Sequence, residues 1–121
     1  MNKSSKNQST IDAAELAAAK EDVKHEIGYE EILSSRPDSA GLLDIIVHEI
    51  ASVELSDDAY VRIGKDKIRR EEAVSRYYAL TTGHIIKVID SIESAPSEIK
   101  HLDSYVRKAL YNAVHDIHIP E

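Results

Sequence analysis

Leu42, Leu43, Ile46, Val47, Ile50 and Val53 recur at three- and four-residue steps, so a helix over roughly 40–55 places them all on one side. A face that wide and that apolar has to be buried, and other helices are its natural cover. The chain holds no Phe and no Trp, so Ile, Leu, Val and six Tyr must fill the core. Aliphatic side chains interdigitate well between helices. The expected class is therefore mainly α: a compact helical domain of about four helices.

The other elements follow from local signals. Asp38 or Ser39 can cap the 40–55 helix, and Pro37 bars helical geometry at Arg36 just before it. Residues 59–69 change period. Tyr60-Val61-Arg62-Ile63 and Lys67-Ile68-Arg69 alternate around Gly64-Lys65-Asp66, which predicts a short β-hairpin that must lean on the helices. A second helix is expected at about 70–80, with Glu71 and Glu72 at its positive end and Val74, Tyr77 and Tyr78 facing inward. Thr81-Thr82-Gly83 breaks it before a third helix, about 83–94, that buries Ile85, Val88, Ile89 and Ile92. A last helix, about 103–116, starts at Asp103 and buries Val106, Leu110, Ala113 and Tyr111.

Ahead of this block, residues 1–10 are polar and predict disorder. Residues 11–26 carry an Ala-rich helical pattern that Thr10 can cap, with a thin stripe of Leu16, Val23 and Ile27. Residues 1–26 thus read as a flexible or helical arm or linker ended by Gly28, and 27–121 as the domain, opening on a short apolar turn of Tyr29, Ile32 and Leu33.

There is no Cys, which removes disulfides, thiol catalysis and Cys-containing zinc sites. A small domain without staples fits a reducing compartment, so a cytoplasmic location is expected. No apolar run is long enough to span a bilayer, so no membrane partner is expected. His115-x-x-His118 with Asp116 is too loose for zinc, which takes three or four protein ligands, and no metal or other cofactor is expected. His84 fits packing or capping better than base catalysis, which requires an oriented partner and a pocket. The neighbours Glu30-Glu31, Asp57-Asp58 and Glu71-Glu72 do not share a helix face and read as solvated charges. Phosphate-loop and nucleophile-elbow motifs are missing. The chain is not expected to be an enzyme.

Charge is distributed unevenly. Net charge is −7. Residues 29–58 set Glu30, Glu31, Asp38, Asp44, Glu49, Glu54, Asp57 and Asp58 against Arg36 alone, for −7. Residues 60–80 set Arg62, Lys65, Lys67, Arg69, Arg70 and Arg76 against Asp66, Glu71 and Glu72, for +3. Polarity of this kind steers partners. Those six basic residues, with Tyr60 and Tyr78 as aromatic anchors, are the expected partner-binding set, because Arg and Tyr dominate interface hot spots. A helix-turn-helix around Thr81-Thr82-Gly83 is disfavoured, since its reading helix would hold Lys87 against Asp90 and Glu93.

Several strings, taken in order, resemble a known family. Ile27-Gly28-Tyr29-Glu30-Glu31-Ile32-Leu33, Leu43-Asp44-Ile45-Ile46-Val47, Val61-Arg62-Ile63-Gly64 and Val74-Ser75-Arg76-Tyr77 are similar to the C-terminal domain of replication initiator protein A (RepA) from Gram-positive plasmids and mobile elements. Leu80–Asp90 and Tyr105-Val106-Arg107-Lys108-Ala109-Leu110-Tyr111-Asn112-Ala113 continue the resemblance to about residue 113. Val114 stands where the family often has Pro, Ser91 where Cys is common, and His101-Leu102-Asp103 at an unusual helix entry. The resemblance implies a non-catalytic interaction domain in DNA replication that recruits host primase, helicase or helicase loader to an origin. It also implies a likeness to helical domains of primosomal helicase-loading proteins. In that family a separate winged-helix domain binds the origin, so this chain reads as an excised domain or a standalone relative. The alternatives are a helical module that contacts DNA weakly and salt-sensitively through the basic hairpin, and an oligomerisation domain that forms a homodimer.

Overall fold

A computed structural model describes residues 12–95 and 99–118, with side chains as far as Val114. The expected disorder at residues 1–10 lies outside the described residues, as do the side chains of His115, Asp116 and His118.

Six helices and one hairpin make up the described chain. They are α1 (Ala13–Ile27), α2 (Tyr29–Ser35), a 3-10 turn (Pro37–Ser39), α3 (Ala40–Leu55), β1 (Tyr60–Ile63), β2 (Asp66–Arg69), α4 (Arg70–Tyr78), α5 (Thr82–Glu93) and α6 (Leu102–His118). The protein is mainly helical with a small antiparallel sheet, as its periodicity predicts.

Helix α3 is the axis of the fold, with α1, α4 and α6 packed around it. Leu43, Ile46, Val47, Ile50 and Val53 of its expected stripe are buried, and Leu42 is partly so. From α5 come Ile85, Val88 and Ile89, and from α6 Val106, Leu110 and Ala113. Each fully buried aliphatic side chain contributes about 1.5–3 kcal/mol relative to exposure, so these stripes fix which faces meet.

Several local expectations are corrected. Asp12 caps α1, its side chain accepting from the Ala14 N–H at 3.1 Å, while Thr10 lies outside the described residues. The apolar turn at Tyr29–Leu33 is a helix of its own, α2, with Ile32 fully buried. Of the forms expected for residues 1–26, the described part takes the helical one, and its C-terminal half is docked: Val23 and Ile27 are 1 % and 3 % exposed, packed with α3 in the core. The core therefore reaches back beyond Ile27. Tyr78 does not face inward; it is 63 % exposed, whereas Tyr77 beside it is buried and donates to the Arg107 carbonyl at 3.0 Å.

Gly28 makes the sharp α1–α2 corner at φ 75°, a left-handed conformation that residues with a Cβ adopt at a cost of about 1–2 kcal/mol. A Cβ there would also lie 2.8 Å from Thr82 Oγ1. That hydroxyl is in use, since it donates to the Ile27 carbonyl at 2.7 Å and ties the corner to the start of α5. Nearby, Arg36 grips both carboxylate oxygens of Asp90 at 2.8 and 2.7 Å, and Ser39 donates to Glu93 at 2.7 Å. The acids of α5 thus face α2 and the 3-10 turn.

Candidate functional site

The hairpin turns on Gly64-Lys65. Gly64 has φ 65° and Lys65 has no positive φ, the pattern of a type II′ turn that suits the twist of paired strands. The stem of Lys108 lies over the turn, 3.0 Å from where a Cβ at position 64 would sit.

Register decides which side chains share a face. Tyr60 pairs with Arg69, Val61 with Ile68, Arg62 with Lys67 and Ile63 with Asp66. Val61 and Ile63 are buried and Ile68 is partly buried, so this set faces the helices. Alternation turns Tyr60, Arg62, Lys67 and Arg69 outward, and all four are exposed. Next to the hairpin the Arg70 N–H donates to the Ala59 carbonyl at 2.9 Å. Counting from that bond, 61↔68 and 63↔66 are the hydrogen-bonded pairs, and 60↔69 and 62↔67 are the non-hydrogen-bonded ones, whose side chains stand closer together. Arg62 and Lys67 are therefore like charges directly opposite each other, a destabilising arrangement.

Few anions relieve this face. Arg69 reaches Glu71 at 3.6 Å in an exposed pair, worth little. Lys67 Nζ lies 5.4 Å from the centre of the Tyr60 ring. Among the described residues Arg62 donates only a long bond, 3.5 Å, to the Lys65 carbonyl.

The other predicted partner-binding residues are placed differently. Lys65 is exposed at the tip of the turn, and Tyr78 is exposed on α4. Arg70 donates to the Glu54 carbonyl at the end of α3, while its buried Nε has no hydrogen-bond partner among the described residues. Arg76 donates to the Tyr111 carbonyl at 2.9 Å and stacks 4.1 Å above the Tyr111 ring, whose hydroxyl donates to Glu72 at 2.8 Å. Burial and the Glu72 bond raise the Tyr111 pKa. Arg70 and Arg76 therefore fasten α4 to α3 and α6, whereas Tyr60, Arg62, Lys67 and Arg69 form one patch.

Beside the patch runs a groove of about 390 Å³ lined by Ser52, Val53, Tyr60, Arg62, Lys67 and Arg107. Sequence reasoning missed Arg107 and its partner. Arg107 donates to Glu49 at 2.9 Å and reaches the Arg62 carbonyl at 3.5 Å. Glu49, which the charge pattern counts in the acidic run 29–58, is only 5 % exposed. The one available signal is spacing: Glu49 falls three residues after Ile46 on the buried side of α3.

Next to this groove lies an acidic one of about 690 Å³, bordered by Glu15, Asp22, Glu54, Asp57, Asp58 and Arg70. Burial, followed by repulsion from Glu26 and Asp22, pushes the Glu54 carboxyl up to about 7, with Arg70 opposing the shift. The paired acids Glu30-Glu31, Asp57-Asp58 and Glu71-Glu72 are all exposed. His84 completes a capping box at the start of α5: the Thr81 side chain accepts from the His84 N–H, and His84 Nδ1 accepts from the Thr81 N–H at 2.8 Å. Among the described residues no group of three or more His, Cys, Asp or Glu side chains is placed to hold a metal ion, and no helix is long and apolar enough to cross a membrane.

Fold and surface together define a small helical domain that carries an outward-facing basic hairpin. The chain belongs to the family described as Family of unknown function (DUF6017), whose profile matches residues 2–119. No curated protein and no solved structure matches it.

Proposed function

We propose that the chain is a non-catalytic, cytoplasmic docking domain of a plasmid or mobile-element replication initiator, recruiting host primase, helicase or helicase loader to an origin. The ordered resemblance to the C-terminal domain of replication initiator protein A supplies the biological setting. The single observation that carries the docking reading is the outward hairpin face: Tyr60 beside Arg62, Lys67 and Arg69, exposed and short of counter-charge. Arg and Tyr are the side chains that most often anchor protein interfaces. The split between this patch and the acidic groove next to it suits a steered, partner-selective contact.

Calorimetric titration of the full chain with purified host primase, helicase and helicase loader, at moderate salt, tests the reading. Saturable binding to one of the three is the expected result. No binding to any of them contradicts it.

A further inference from the structure

We infer that the hairpin face and its groove recognise a short acidic segment of a partner protein, with a side-chain carboxylate received between Arg62 and Lys67. The inference rests on the docking reading and adds the chemistry of what is docked.

Arg62 and Lys67 are cross-strand neighbours in a non-hydrogen-bonded pair, the geometry that brings side chains closest. Among the described residues no carboxylate pairs with either of these two like charges. A bound carboxylate turns that repulsion into two charge-assisted hydrogen bonds, which are shorter and stronger than neutral ones. The groove alongside supplies the rest of a peptide site. Val53 and Val61 give it buried apolar lining, Ser52 offers a hydroxyl, and the exposed Tyr60 ring forms one side. Arg107 adds little net charge, because Glu49 neutralises it, so the anion-binding capacity lies with Arg62 and Lys67.

Surroundings select a peptide over a nucleic acid. A DNA or RNA strand is a long, uniform polyanion whose binding depends on neutralising many successive phosphates. Here the cationic patch spans one short hairpin. Asp58 lines the same groove, and the acidic groove with Glu15, Asp22 and Asp57 adjoins it. A phosphate backbone leaving the hairpin on that side would meet carboxylates within a residue or two. A short acidic segment can end before it does.

The test uses the full chain, uniformly labelled with nitrogen-15, and two charge-matched probes at low ionic strength. One is an octapeptide alternating Glu and Thr, acetylated and amidated at its ends; the other is pentathymidylate with hydroxyl ends, so that each carries four negative charges. The peptide is expected to shift the amide signals of residues 60–69 saturably, and Arg62→Gln with Lys67→Gln to weaken it about tenfold or more. Pentathymidylate is expected to bind the hairpin more weakly than the peptide. The double variant should also melt no lower than the parent chain, because it removes a like-charge pair. No hairpin shifts with the peptide, tighter hairpin binding by pentathymidylate, undiminished peptide binding by the double variant, or a clear drop in its melting temperature each overturns the inference. The docking reading fails separately. If the peptide binds as described but no host replication protein does, the acidic specificity stands and the assigned partner falls. If a host protein binds and the double variant leaves that binding intact, the docking reading stands and this inference falls.

Discussion

Single residues in this chain differ most in how they treat their charge. Glu54 and Glu49 both sit on α3, yet Glu49 has Arg107 at 2.9 Å while Glu54 faces Glu26 and Asp22. The Glu54 carboxyl, normally near 4.5, is pushed up to about 7 by burial first and by those two acids second. An acid whose pKa rises on folding binds its proton more tightly in the native state, so stability falls as pH climbs from about 4.5 to about 7. Glu54→Gln removes that penalty. The variant should gain melting temperature over the parent at pH 8 and lose the advantage at pH 4, read by thermal unfolding at both values. An equal difference at the two pH values would show that Glu54 is not the group responsible. Neither environment was visible in the sequence, where both acids belong to one acidic run. Arg107 lies 58 residues from Glu49, and the two meet only once α6 packs on α3.

Elements were legible in proportion to the length of their period. Helices α3, α5 and α6 each run for more than three turns and carry an apolar stripe, and the hairpin alternates around a Gly turn; these stand where the pattern puts them. Helix α2 has seven residues, fewer than two and a half turns, so its Tyr29, Ile32 and Leu33 read equally well as an apolar turn. The stripe of α1 is thin because α1 needs to cover only one side of α3, and Val23 and Ile27 suffice. The hairpin's basic residues were legible as a cluster but not as a surface. Arg70 and Arg76 look like Arg62 and Arg69 in sequence, and they differ only because the Glu54 and Tyr111 carbonyls receive them in the fold. The α1–α2 corner supplies a prediction at this scale. Gly28→Ala forces a Cβ onto a positive φ and toward Thr82 Oγ1, so it should cost about 1–2 kcal/mol in chemical denaturation. Gly41→Ala is the matched control, since a Cβ there meets nothing within 4 Å and the position is helical. A Gly28→Ala chain as stable as the Gly41→Ala chain would mean that the corner is not held as described.

At the scale of the whole molecule, an aliphatic core around α3 holds up a hairpin whose inner face is apolar and whose outer face is cationic. Two contacts tie that hairpin to α6. Lys108 covers its turn, and Arg107 bonds both to Glu49 below it and to the Arg62 carbonyl within it. These contacts place the backbone from which Tyr60, Arg62, Lys67 and Arg69 project, and a backbone already in place lowers the entropic cost of binding. The central claim is that this face is where a host replication protein docks. The most direct measurement is calorimetric binding of that protein to the parent chain and to a chain carrying Arg62→Glu and Lys67→Glu, with folding of both verified by circular dichroism. Replacing two cations by two acids on the face should abolish binding while leaving the helical spectrum unchanged. A folded double variant that binds with the parent's affinity would contradict the claim.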